Sequence, residues 1–179
     1  LMTFAPQAKR ALVLGFGAGE LPRIFNERGL EVSAVEINPD TLSAAKEFFH
    51  FKQGEIKVFF EDARTFVKNC DESYDVIVLD LFHGDGMPEH IITREFFQDI
   101  NKCLSSDGVL LTNFFISLGD KKAKMSLLAT VSSVFGSIYF FYDKLNFNKH
   151  DKIRFTSAQI VASKTDLPMK INFDLSNVP

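Results

Sequence analysis

Tryptophan is absent from this chain, and cysteine is nearly so, with only Cys70 and Cys103 in 179 residues. Two isolated cysteines make neither a disulfide framework nor a metal-ligand spacing, so reduced thiols of a cytoplasmic protein are expected. The four histidines, His50, His83, His90 and His150, also lack ligand spacing, and no metal is expected. No apolar run reaches transmembrane length and no signal-peptide pattern is present, which removes a membrane as partner. A basic excess is missing too. Lys and Arg total 20 against 23 Asp and Glu, for a formal charge of −3. Phosphate backbones want a basic face, so nucleic acid is not expected, whereas a cationic substrate is tolerated. A G-x-S-x-G elbow is absent, as is any Cys/His nucleophile pairing.

Phenylalanine fills the aromatic quota, with 20 copies. Pairs at 48–49, 59–60, 96–97, 114–115 and 140–141 have no fixed period, which argues for core filling rather than a repeat. The length suits one domain over 1–179. The chain opens on Leu-Met and enters a core strand by residue 10, so a fragment with a missing N-terminal segment is expected. The tail from 164 to 179 has no pattern.

Apolar runs bounded by turn signals predict strands at Arg10–Gly15, Glu31–Ile37, Ile56–Phe60, Tyr74–Asp80, Val109–Asn113, Ile138–Tyr142 and Ser157–Ala162. Helical spacing falls between them. Leu21, Ile24 and Phe25 form one stripe, and Leu42, Ala45 and Phe49 another. Asp62–Asn69 is short. Thr93 caps a helix carrying Phe97, Ile100 and Leu104, and Lys121–Phe135 aligns Leu128, Val131 and Phe135. Alternating strands and helices imply an α/β, doubly wound, mainly parallel sheet. The last two strands have no crossover helix between them and should pair antiparallel.

Three features stand at the C-terminal ends of successive strands, where open α/β sheets bind ligands. VLGFGAGELP places Gly15, Gly17 and Gly19 between a strand and a helix. Glu20 stands where a dinucleotide fingerprint would have glycine, and its charge opposes a pyrophosphate. Glu36 follows about twenty residues after the first glycine, where a carboxylate can accept from both ribose hydroxyls. Asp62, beyond the third strand, can accept from an adenine amino group. Each acid also has a plainer reading, Glu36 as a solvated strand end and Asp62 as a helix N-cap. Together they describe a nucleoside site without a phosphate clamp, as for S-adenosylmethionine. The fourth strand then ends on Asp80, followed by a polar, Gly-containing loop.

The stretches VLGFGAG, VEINPDTLSAAKEFF, EDARTFV, YDVIVLDLFHGDGMPEHIITREFF and DGVLLTN resemble the spermidine synthase family, in order, over roughly residues 10 to 115. That family lies within the Rossmann-like methyltransferase superfamily. The resemblance implies a seven-stranded, class I methyltransferase-like fold. It also implies S-adenosylmethionine or its decarboxylated form as co-substrate, held by Gly15, Gly17, Gly19, Glu36, Asp62, Ala63 and Asp80. In aminopropyltransferases the acid at the position of Asp80 helps deprotonate the attacking amine, and the following loop closes over the site.

The chain departs from that pattern at several places. His83 stands where a second acid is expected, and Ala18 where an acid meets the aminopropyl ammonium. The family's small N-terminal β-domain is expected to be missing, and Thr112-Asn113-Phe114 replaces a Gln-containing segment. Asp85 and Glu89 in the loop, or Glu20, could supply the missing negative charge. His83 could serve as a base, or be an ordinary loop histidine. Three functions therefore compete. These are aminopropyl transfer to a small amine, methyl transfer, and a non-catalytic nucleoside-binding or interaction module. A homo-oligomer is compatible with any of them.

Overall fold

The computed structural model describes residues 4–52, 54, 56–81, 89–117, 121–142 and 155–167. Seven strands form one sheet in the order β3-β2-β1-β4-β5-β7-β6. In chain order they are β1 (Arg10–Leu14), β2 (Glu31–Glu36), β3 (Lys57–Phe60), β4 (Tyr74–Leu79), β5 (Leu104–Ser117), β6 (Ser137–Tyr142) and β7 (Phe155–Ser163). The helices between them are α1 (Glu20–Glu27), α2 (Asp40–Phe48), α3 (Ala63–Lys68), α4 (Arg94–Cys103) and α5 (Lys121–Ser132). β1 through β5 run parallel, and β7 inserts antiparallel between β5 and β6. The expected α/β, mainly parallel, seven-stranded architecture is therefore found, antiparallel last strand included.

Side chains alternate along each strand between two cores, as a sheet covered on both faces requires. Leu12, Leu14, Ile77, Leu79 and Leu110 pack with Phe96, Phe97 and Ile100 of α4. Ala11, Val13, Val32, Val76 and Val109 face the other way, toward Phe25 of α1 and Ala45 of α2. The strand β5 is longer than its apolar run suggested. Its pairing begins at Tyr74↔Leu104 and shifts register before Val76↔Val109, so Ser105–Gly108 is a bulge within the strand rather than a turn before it.

Two expectations fail at the β3 edge of the sheet. Phe48 and Phe49 are 68% and 64% exposed, and Phe59 and Phe60 are 38% and 48% exposed. Core filling does describe Phe96, Phe97, Phe114 and Phe140, all buried. The difference is positional, because among the described residues no layer covers the end of α2 or the outer side of the edge strand. The core place expected for Phe49 goes to Phe51. The chain turns through a left-handed His50 (φ 55°), and the Phe51 ring then meets Phe16 edge-on at 4.9 Å.

The cysteines are a further correction. Expected as isolated thiols, Cys70 and Cys103 are joined as a disulfide, with Cα atoms 5.9 Å apart. α3 and α4 lie side by side on one sheet face, so their C-terminal ends converge although 33 residues separate the cysteines in sequence.

Candidate functional site

The parallel strands are stitched together at their C-terminal ends. The Gly15 amide donates to Val35 O at 2.9 Å, the Asp80 amide to Leu14 O at 2.9 Å, and the Glu61 amide to Glu36 O at 3.0 Å. A row of backbone turns thus opens along one edge of four adjacent strands. A cavity of about 750 Å³ lies there, lined by Gly15, Phe16, Gly17, Glu36, Ile37, Asp62, Ala63, Asp80, His90 and Ile91 among others.

Gly15 shows why the first turn takes glycine. Its φ is +97°, and a Cβ there would run into the backbone carbonyl of Asp80. The loop therefore presses against the end of β4 and brings the cavity's glycine wall next to Asp80. Gly19, also left-handed, is the N-cap of α1, and a Cβ on it would strike the rings of Phe51 and Phe16. It shapes the loop without lining the cavity.

Glu36 joins the two walls. One carboxylate oxygen accepts from the Phe16 amide at 3.3 Å, and the other from the Asn38 amide at 2.9 Å. Each carboxylate oxygen can accept twice, so hydroxyl donors can still be bound. Asp62 is the N-cap of α3, with Oδ1 accepting from the Thr65 amide at 3.0 Å. Its Oδ2 lies 3.7 Å from Nε2 of His90. The plain capping reading and the ligand reading are thus compatible, one per oxygen. Ile37, Ala63 and Ile91 give the same region apolar surface suited to a flat base.

Glu20 does not reach the cavity. It pairs with Arg23 at 2.6 Å, and that hydrogen bond holds its carboxyl below the usual range. Ala18 borders a smaller adjoining recess with Asn38, Thr41 and Phe49. His83 and Asp85 lie outside the described residues. Glu89 begins the 3-10 turn Glu89–Ile91, and its side chain is also outside them.

Three contributors were not read from the sequence as site residues. His90 entered only as a rejected metal ligand, yet it faces Asp62 across the cavity rim. Arg64 donates through Nη1 to the His90 carbonyl and to Thr93 Oγ1, the latter at 2.9 Å. It thereby ties α3 to the turn before α4. Asn113 donates to Asp80 Oδ1 at 3.1 Å. Each contact spans more than 20 residues of sequence, which no local spacing encodes.

The fold and the strand-end carboxylates define a Rossmann-like, class I methyltransferase-like domain. The spermine/spermidine synthase domain model matches residues 2–159, and the chain belongs to that family. A polyamine aminopropyltransferase of Vibrio vulnificus is 36% identical over 148 residues, covering 78% of this chain and 48% of that protein. An N-terminal histidine N-methyltransferase of Emericella nidulans is 30% identical over 136 residues, covering 73% of this chain and 24% of that protein. The chain thus spans half or less of the length of these curated relatives. The crystal structure of a probable spermidine synthase from Corynebacterium glutamicum superposes with a TM-score of 0.78 at 24% identity, covering 95% of this chain and 61% of that one. A spermidine synthase in complex with the transition-state analogue AdoDATO gives 0.74 at 21% identity, covering 92% and 57%. Both share the fold.

Proposed function

We propose that this chain is a transferase domain that binds decarboxylated S-adenosylmethionine and moves its aminopropyl group to a small amine. The observation that carries the reading is the convergence of Glu36, Asp62 and Asp80 on one cavity, in a chain of the spermine/spermidine synthase family. Glu36 accepts from the ribose hydroxyls. Asp62 Oδ2 accepts from the base amino group, with Ile37 and Ile91 on the faces of the ring. Asp80 takes a proton from the acceptor ammonium. The freed nitrogen lone pair then attacks the carbon next to sulfonium. A C–N bond forms, the C–S bond breaks, and its electron pair neutralises the sulfur, releasing a thioether nucleoside. Asp80 sits at a rigid strand end, which suits a group that must meet a reacting atom in one geometry. From the loop, His83, Asp85 and Glu89 are candidates to hold the acceptor.

Methyl transfer from intact S-adenosylmethionine is the second reading. It is favoured by the similarity to a histidine N-methyltransferase and by Ala18, which removes a carboxylate from the glycine loop. Calorimetric titration with the two co-substrates side by side separates the readings. Preference for the decarboxylated form supports aminopropyl transfer and directs screening to diamines. Preference for the intact form moves the reading to methyl transfer. Binding of neither removes both.

A further inference from the structure

Asp80 has a partner on the neighbouring strand. Asn113 of β5 donates through Nδ2 to Asp80 Oδ1 at 3.1 Å. Ser157 Oγ lies 3.2 Å from Asn113 Oδ1, and Gln159 Nε2 lies 2.8 Å from Ser157 Oγ. One arrangement of protons satisfies these three contacts. An ionised carboxylate accepts only, so Asn113 must turn its NH2 toward Asp80. Its carbonyl then faces Ser157, whose hydroxyl must donate. With that proton engaged, Ser157 accepts from the Gln159 amide. The orientation of the Asn113 amide follows from the network rather than from its own density of contacts.

The sheet does not need this network. β5 and β7 are already joined by a backbone ladder running from Val109↔Ser163 to Ser117↔Phe155. Asp80, by contrast, lies one residue past the end of β4, where the β5–β7 ladder does not set the rotation of its side chain. We propose that Asn113 is the positioning residue for Asp80, oriented by Ser157. Its N–H fixes one carboxylate oxygen, sets the rotation of the group, and leaves the other oxygen for the acceptor amine. The consequence for catalysis rests on the proposed role of Asp80, whereas the contact itself can be tested without turnover.

The experiment uses Asn113→Leu, Ser157→Ala and Asp80→Ala in the full chain. In the wild type, the Asn113 side-chain amide protons should be shifted downfield and exchange slowly in 1H–15N spectra. Both Ser157→Ala and Asp80→Ala should return them toward free-amide behaviour. With decarboxylated S-adenosylmethionine and putrescine, Asn113→Leu should lower kcat about 10- to 100-fold while leaving nucleoside affinity unchanged. Ser157→Ala should lower kcat less, in the same direction. An Asn113 signal indifferent to Asp80→Ala overturns the proposal, as does a wild-type kcat in Asn113→Leu. If Asn113→Leu does not fold, Ser157→Ala decides by the same readouts. If the wild type turns over no substrate, the transferase reading falls, and the amide spectra still decide whether Asn113 holds Asp80.

Discussion

Asp62 divides its carboxylate between two neighbours, the Thr65 amide at 3.0 Å on Oδ1 and His90 Nε2 at 3.7 Å on Oδ2. The first contact belongs to the fold, because it satisfies a backbone donor at the start of α3. The second points into the cavity, where the same oxygen is available to a ligand amino group. In the proposed reading one residue thus serves stability and binding through different atoms, and substitutions can separate the two.

Asp62→Asn should keep the cap, since asparagine caps as well as aspartate, whereas Asp62→Ala should lose about 1 kcal/mol of stability. Nucleoside affinity should fall in both by about 10-fold, the scale of one hydrogen bond to a charged group. Urea denaturation and calorimetry together check this. Wild-type affinity in Asp62→Asn would show that the charge of Asp62 is not used in binding.

Gly15→Ala should be more damaging than Gly17→Ala. Both positions have positive φ, which costs an L-residue roughly 1–2 kcal/mol. At Gly15 the new methyl would also meet the Asp80 carbonyl, whereas at Gly17 nothing lies within 4 Å. We expect Gly15→Ala to lose more than about 2 kcal/mol and to displace Asp80, abolishing turnover, and Gly17→Ala to lose about 1 kcal/mol. Equal losses in denaturant would mean that the loop does not press on β4 as the structure has it.

What the sequence revealed, and what it hid, divides along one line. The strands, the glycine turn, Glu36 and Asp62 were legible because each follows from local periodicity or from a spacing within one β-α-β unit. The Asp80–Asn113 contact, the His90–Asp62 pair and the Cys70–Cys103 link each depend on which elements become neighbours in the sheet or on its face. Exposure of Phe48, Phe49, Phe59 and Phe60 was hidden for a related reason. An apolar residue on an edge strand, or at the end of the helix beside it, looks the same in sequence as one at the middle of the sheet. Sheet order decides between them, and it puts β3 at the margin.

Asp75 makes stability depend on pH at the opposite end of the sheet. Its partial burial opposes the charge, but the amides of Lys9 and Arg10 and the Ser105 hydroxyl outweigh that, and the carboxyl is held below its usual range. A depressed folded-state value means the carboxylate stabilises the fold above the unfolded aspartate value of about 3.9, and that this is lost as pH falls through the lower folded value. Asp75→Ala should therefore cost about 0.5–1.5 kcal/mol at pH 7, since the half-exposed amides it leaves can turn to water. The pH-dependent part of the gap to wild type should shrink below about pH 4. Denaturation curves at pH 7 and pH 3 measure both. A gap that does not narrow would show that Asp75 acts by packing and not by charge.

Reduction should loosen the pair of helices that carries much of the site. α3 begins beside Asp62, and the α4 cap Thr93, held by Arg64, stands two residues after Ile91. The Cys70–Cys103 bond joins their far ends across a sequence separation of 33 residues. In the chain-entropy account, closing a loop of that length restricts the unfolded state by about 3–4 kcal/mol. The oxidised protein, unfolded without reductant, should show no reactive thiol, and added reductant should lower its denaturation midpoint by the corresponding amount. Cys70→Ser should match the reduced wild type and no longer respond to reductant. Because the near ends of the helices are fastened separately, by Asp62 on Thr65 and Arg64 on Thr93, nucleoside affinity should change far less than stability. A midpoint that is the same with and without reductant would mean the helices are held by the packing of Val67, Phe96 and Ile100 alone.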